Sequence, residues 1–494
     1  MNNTPANRFS LRSLIRNWIS LAGAVIAAGS FFAFLLLFAL DIIAAHGNPY
    51  MGILAYVVAP GFLFLGVLLM ILGYWVHLRQ ERRAKPDAAP VSLTIDLSRP
   101  RDRRILSIFA MGSVGFLFVT AIGSYQTYHY TESVHFCGQT CHVPMDPEFI
   151  TSQHSAHARV ECVACHVGSG ASAYVKTKIS GMRQLYHVVM NDFDRPIRLN
   201  PSKLRPARET CEQCHWPQKF TGGFERTFRH FLADENNTPF TVRLLVNVGG
   251  GDPRLGPVGG IHWHTNAANK IEYASPDDQQ RVIPWVRHTD EKGVVTEYRN
   301  PEFKGDISKL AIHTMDCIDC HNRPSHNFLS PNVAVDTALA SGRLDPKIPW
   351  VKSKVVDALV QPYATKEEAL KKIDIFLREA YPNNPKVDAV IAEAQSIYSA
   401  NFFPEMRADW RSYPDHLSHK EWDGCFRCHD GKHKSADEKR TIKADDCKAC
   451  HLILAQGNDE EIKKLNADGY PFVHIDSEYS DFSCVDCHTG AKPK

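Results

Sequence analysis

The stretch Cys162-Val163-Ala164-Cys165-His166 sets two cysteines three positions apart and puts a histidine directly after the second. The same grammar returns at Cys211/Cys214/His215, Cys317/Cys320/His321, Cys425/Cys428/His429, Cys447/Cys450/His451 and Cys484/Cys487/His488. One variant, Cys137-Gly138-Gln139-Thr140-Cys141-His142, has an extra residue between its cysteines. These motifs use all 14 cysteines, so no thiol is left for a disulfide or a free nucleophile. Zinc knuckles, redox dithiols and disulfide halves also use CxxC pairs, but none of them requires histidine after the second cysteine every time. The pattern is that of covalent c-type haem attachment. Both cysteines form thioethers with the porphyrin, and the histidine becomes the proximal iron ligand. The sequence predicts seven haems c, with His142, His166, His215, His321, His429, His451 and His488 proximal.

Composition narrows the class further. Across 494 residues, 56 Lys and Arg face 54 Asp and Glu, a net charge of +2 that points to no nucleic-acid partner. The chain has 24 histidines, far more than the motifs consume. Six-coordinate irons need a second axial ligand each. By position, His157, His264, His326, His419, His433 and His474 are the candidates, with His230 a seventh. Met145 is an alternative at the first site, and His154, His187, His262, His313 and His416 stand in reserve. The chain beyond the apolar N-terminal region is too short to give every haem its own globular pocket, so porphyrins should supply much of the core.

The N-terminal region reads as membrane. Three apolar runs, about 17–40, 51–76 and 105–123, are long enough to span a bilayer. The first also has small residues resembling a signal-peptide cleavage site, but its apolar run continues well past them. Pro60-Gly61 is a possible kink in the second run. The loop 78–104 between the second and third runs is rich in Lys and Arg and is expected in the cytoplasm, with the N-terminus. All seven motifs then fall on the opposite face, the periplasm of a two-membrane bacterium.

Beyond residue 127, haems 1–3 occupy 128–215. Residues 216–310 change texture, with apolar alternation at Thr241–Val246, Val282–His288 and Val294–Tyr298 around Lys292-Gly293, and read as a β-rich insertion. Residues 311–494 carry haem 4, a helical linker over 327–415 and a terminal cluster of haems 5–7. The predicted fold class is a membrane-anchored multihaem cytochrome c. Three N-terminal transmembrane helices lead into a mainly helical and loop, haem-packed periplasmic region with a small β insertion.

The segment from Ser124 to Met190 resembles the membrane-anchored quinol dehydrogenase cytochromes of the NapC/NirT type. The match rests on an apolar helix entering Phe136-Cys137…Cys141-His142-Val143-Pro144-Met145, on Ser155-Ala156-His157, and on Lys176-Thr177-Lys178-Ile179-Ser180-Gly181 after the second motif. Later phrases, such as Gly260-Ile261-His262-Trp263-His264 and Gly424-Cys425-Phe426-Arg427-Cys428-His429, resemble the enlarged branch of inner-membrane cytochromes used in extracellular electron transfer. The resemblance implies oxidation of menaquinol or ubiquinol beside haem 1, with electrons passing to a periplasmic cytochrome or terminal reductase. It also implies that Met145 can replace His142 as an iron ligand and that Lys178 lines the quinol site with Met145 nearby. Met145 stands one residue further from its motif than in the family, so His142 and Met145 both remain open. Two other functions fit the same motifs: a multihaem reductase of a nitrogen or sulfur oxyanion, and a wire running from a periplasmic donor to quinone.

Overall fold

The computed structural model describes residues 17–43, Leu54, 58–83, 97–140, 142–167, 171–197, 205–252, Arg254, 259–266, 268–444, 447–475 and 484–488. The principal helices are α1 (Trp18–Ile43), α2 (Ala59–Arg83), α3 (Pro100–Glu132), α4 (His142–Gln153), α5 (Ala171–Met190), α6 (Pro331–Ala340), α7 (Val351–Leu359), α8 (Lys366–Ala380) and α9 (Val387–Asn401). The strands are β1 (Gly223–Phe231), β2 (Pro239–Asn247), β3 (Lys270–Ala274), β4 (Trp285–Thr289), β5 (Val295–Arg299), β6 (Ile312–Thr314), β7 (Lys434–Ser435) and β8 (His451–Gly457). Two units divide the chain: Met1–Phe136 with Val167–Val189, and Cys137–His166 with Met190–Lys494.

In the first unit the apolar runs are helices, the form in which a single segment satisfies its own backbone in lipid. Trp18–Leu35 and Ala59–Gln80 are long and apolar enough to cross a membrane. Phe32, Phe64, Ile71 and Trp75 on these helices are exposed. Pro60 stands in the first α-helical turn of α2, where its missing N–H goes unused, and the described residues Leu54 and Val58 ahead of it are π-helical. The third apolar run lies within the longer α3. Residues 44–50, in the link after α1, and 84–96, in the basic loop, lie outside the described residues. α1 and α2 meet through small residues: a Cβ on Gly23 would stand 2.5 Å from the Gly66 carbonyl oxygen. Asn17 Nδ2 donates to the Gly73 carbonyl at 2.5 Å. Close backbone approach and interhelical hydrogen bonds are what holds helices together where lipid removes the hydrophobic drive.

In the second unit, antiparallel pairing builds one sheet of order β1-β2-β8 and another of order β6-β3-β4-β5-β7. The β4–β5 hairpin turns where expected, because the Asp290 carboxylate accepts from Lys292 N at 2.9 Å and Val294 N at 2.8 Å. Residues 216–310 supply five strands, but β7 and β8 come from the terminal haem segment and extend both sheets. The expected insertion is therefore completed by β8, whose residues pair with β2 from Val246↔His451 to Thr241↔Gly457.

The linker holds the largest apolar core. On α8, Ala369, Ile373 and Leu377 are fully buried at helical spacing, while Lys371–Glu367 and Lys372–Glu368 pair across the exposed face. Thr365 Oγ1 caps the helix by accepting from Glu368 N. Val335, Val351, Val355, Phe403 and Trp410 complete the same cluster. Each such side chain contributes about 1.5–3 kcal/mol by leaving water. This region thus has a protein core of its own, and the expectation that porphyrins would supply most of the packing does not extend to it.

Candidate haem-binding centres

Most of the described CxxC segments are single helical turns. Cys162–His166, Cys317–Cys320, Cys447–Cys450 and Cys484–Cys487 are α-helical, and Gly424–Arg427 is 3-10. Residues three apart share a helix face, so both thiols of such a turn project to one side. The turn then closes on itself: the backbone N–H of His215, His321, His429 and His488 donates to the carbonyl of the first cysteine at 2.8, 2.8, 3.0 and 2.7 Å. At the fourth motif a capping box, made by Asp316 and Asp319, fixes the turn. The irregular first motif is a π-helical turn over Phe136–Thr140, whose wider pitch takes up the extra residue. Cys141 lies outside the described residues, as do the side chains of His142, Lys178 and Cys447.

The third motif makes the same closed turn at the end of a short helix. Its helix, Ala207–Cys211, ends on the first cysteine, so Cys214 lies past the helix in a following turn. That turn is held by the Cys214 N–H donating to the Cys211 carbonyl at 3.1 Å. Gln213, Cys214, His215 and Trp216 are all exposed, because the turn runs along the surface between the helix and β1.

The motif histidines are faced by second histidines. His166 meets His326 with ring centroids 6.2 Å apart, His215 meets His157 at 5.9 Å, and His321 meets His262 at 6.3 Å. His429 meets His264 at 5.8 Å, His451 meets His419 at 6.2 Å, and His488 meets His474 at 6.0 Å. An iron between two imidazoles, each bonded at about 2 Å, holds the ring centroids roughly 6 Å apart. The spacing is too wide for ring stacking contact and matches a metal between the rings. The Nδ1 atoms of His157, His262 and His264 lie 3.0, 3.1 and 2.9 Å from the carbonyls of Pro324, Val248 and Ile261, which leaves Nε2 to point at an iron. Burial is the largest cause that pushes His166, His262, His264, His321, His419 and His451 below the usual histidine pKa, and it takes His488 to about 4. A neutral imidazole is the form that ligates metal.

Buried polar atoms also fit a porphyrin. Nε of Arg323 and Nδ1 of His419 and His451 are buried without a hydrogen-bond partner among the described residues. A haem carboxylate or an ordered water is the kind of acceptor such donors need.

Two expected ligands are engaged by other partners, His433 at both ring nitrogens and His230 at Nδ1 alone. His433 is fully buried, with Nδ1 2.8 Å from Asp430 Oδ1 and Nε2 2.7 Å from the Ile283 carbonyl. Both ring nitrogens are engaged, so the residue holds β-sheet to loop instead of meeting an iron. His230 Nδ1 lies 3.1 Å from Asp336 Oδ2 in a buried network where Lys352 Nζ pairs with Asp336 Oδ1 at 2.6 Å. His262, held only in reserve, takes the place facing His321. The signal for it was the pair His262 and His264 itself. Both lie in the 3-10 turn Ile261–Thr265, and residues two apart in such a turn project about 120° from each other. One short turn therefore serves two neighbouring motifs. Met145 is half-buried in the first turn of α4. Replacing His433 with Leu should destabilise the chain by about 2–4 kcal/mol through two stranded buried partners, yet leave every haem low-spin. Thermal melts and spin-state spectra on the same sample check both halves.

A run of covalent haem turns behind apolar anchor helices defines a membrane-anchored multihaem cytochrome c. The chain belongs to the NapC/NirT cytochrome c family, whose N-terminal region matches residues 99–209. It is 40% identical over 492 residues to the cytochrome c-type protein ImcH of Geobacter sulfurreducens, a match covering 96% of this chain and 95% of that protein. No solved structure matches the chain significantly. Membership makes the covalent cofactor c-type haem and the setting a membrane.

Proposed function

We propose that the chain is a seven-haem quinol dehydrogenase of the bacterial inner membrane, with α1, α2 and the apolar part of α3 spanning it. The N-terminus and basic loop would lie in the cytoplasm and the haem region in the periplasm. The observation that carries this reading is the recurrence of one arrangement, a motif histidine faced by a second histidine across a haem-sized gap. Haem c supplies reversible one-electron iron chemistry when bound. The residues proposed as axial pairs are His166/His326, His215/His157, His321/His262, His429/His264, His451/His419 and His488/His474, with His142 or Met145 at the first site. Cys211 and Cys214 are proposed to hold the third haem. Closing both axial positions suits electron passage and leaves a small substrate no place to bind. The motifs also touch. The first cysteines of successive motifs lie close together, Cys137 by Cys162 and Cys211 by Cys317, so these sites adjoin. Lys178 on α5 is proposed to hold the quinol hydroxyl and take part in its proton release.

Mixing the detergent-solubilised chain with reduced menaquinone or ubiquinone analogues tests this directly. Haem reduction by one of them is expected. Lys178→Met should slow that phase about tenfold, equivalent to ~1.4 kcal/mol of barrier, while dithionite reduces wild type and variant alike. No reduction by either quinol would remove the dehydrogenase reading. Turnover of nitrite or sulfite at a high-spin haem would install an oxyanion reductase in its place.

A further inference from the structure

The proposed ligand His326 differs from its counterparts in what stands behind it. Where His157, His262 and His264 turn Nδ1 to backbone carbonyls, His326 Nδ1 lies 2.9 Å from the Glu148 carbonyl and 3.1 Å from the Glu148 carboxylate oxygen Oε2. Glu148 belongs to α4, the helix that starts on the histidine of the first motif. Its other carboxylate oxygen, Oε1, lies 3.7 Å from Arg323 Nη2. The Arg323 guanidinium is held flat over Tyr413 at 4.1 Å and beside Phe328 at 5.1 Å, so its charge is fixed in place. Neither residue lies in a motif, and both are partly shielded from water.

We infer that Glu148 and Arg323 form an opposed charge pair that sets the reduction potential of the second haem through His326, with Glu148 lowering it and Arg323 limiting that effect. The Nδ1–H is taken by the Glu148 carbonyl, and Oε2 makes no hydrogen bond among the described residues, so the carboxylate acts by its charge: an anion 3.1 Å from the ring of a ligating imidazole favours the ferric state. The guanidinium draws negative charge from the same carboxylate and works the other way. The pair links α4, which leaves the first motif, to the ligand of the second. Glu148 is a positioning and tuning residue, acting on the iron only through His326. This rests on the His166/His326 pairing proposed above.

Spectroelectrochemical titration of the purified full chain separates the two ideas. Glu148→Gln keeps the size and an acceptor oxygen but removes the charge; one haem's midpoint should move to more positive potential, with the others unmoved. Arg323→Gln should move the same midpoint negative. His326→Ala identifies that haem, because it alone should turn high-spin. If His326→Ala gives the high-spin haem but Glu148→Gln leaves all midpoints unchanged, or moves several equally, the tuning role is overturned. If His326→Ala stays fully low-spin, the pairing itself fails.

Discussion

His262→Ala should convert one haem from low to high spin, and His264→Ala should convert a different one. Each variant removes the ring facing a motif histidine, His321 in the first case and His429 in the second. An iron that loses one of two imidazoles keeps an open position, so each variant should also bind carbon monoxide at one new haem. The two signals that disappear should differ, since the rings stand 8° apart in one pair and 84° in the other. The double variant should open two sites. His313, whose ring packs on Tyr273, makes the control: His313→Ala should leave every haem low-spin. An unchanged spectrum in His262→Ala would return the search for the partner of His321 to the other histidines.

The second large effect is expected at Gly424, the residue before Cys425. Its φ is +47°, a region that a side chain rarely adopts. A Cβ there would overlap the Ser418 carbonyl oxygen and stand 2.6 Å from the carbonyl carbon. Backbone cannot swing aside as the end of a long side chain can. Gly424→Ala therefore has to move either the Cys425 turn or the segment carrying His419, the ring that faces His451. The expected loss is about 4 kcal/mol or more, read as a lower melting temperature with haems of the fifth and sixth motifs partly high-spin. Gly342 separates strain from collision. Its φ is +74° but a Cβ there meets nothing within 4 Å, so Gly342→Ala should cost about 1 kcal/mol. Equal losses in the two variants would remove the collision as the cause.

Much of the membrane region could be read directly. A charge-free run has few ways to satisfy its backbone in lipid, so α1 and α2 follow from composition alone. Helix boundaries were less legible: Pro60 belongs in a first turn, and a run of apolar residues does not say where the first turn falls. In the haem region, turns such as Asp290–Val294 were visible because they are local. The joining of β8 to β2 was not, because pairing across that span depends on how the intervening chain packs.

The candidate sites divide along the same line. Sequence alone determined the cofactor and pointed to its attachment points and to one axial histidine at six of the seven proposed sites, because the two cysteines and the next residue share a single short turn. It also indicated partners close to a motif, such as His326 and His419. Which of His262, His230 and His433 stands before a motif histidine was legible only in the tertiary structure. The second face of a porphyrin is approached from a different segment, and a buried histidine serves an iron or a hydrogen bond according to what its neighbours leave for its two nitrogens. His433 finds Asp430 and the Ile283 carbonyl. His262 finds Val248 behind it and the gap before His321 in front.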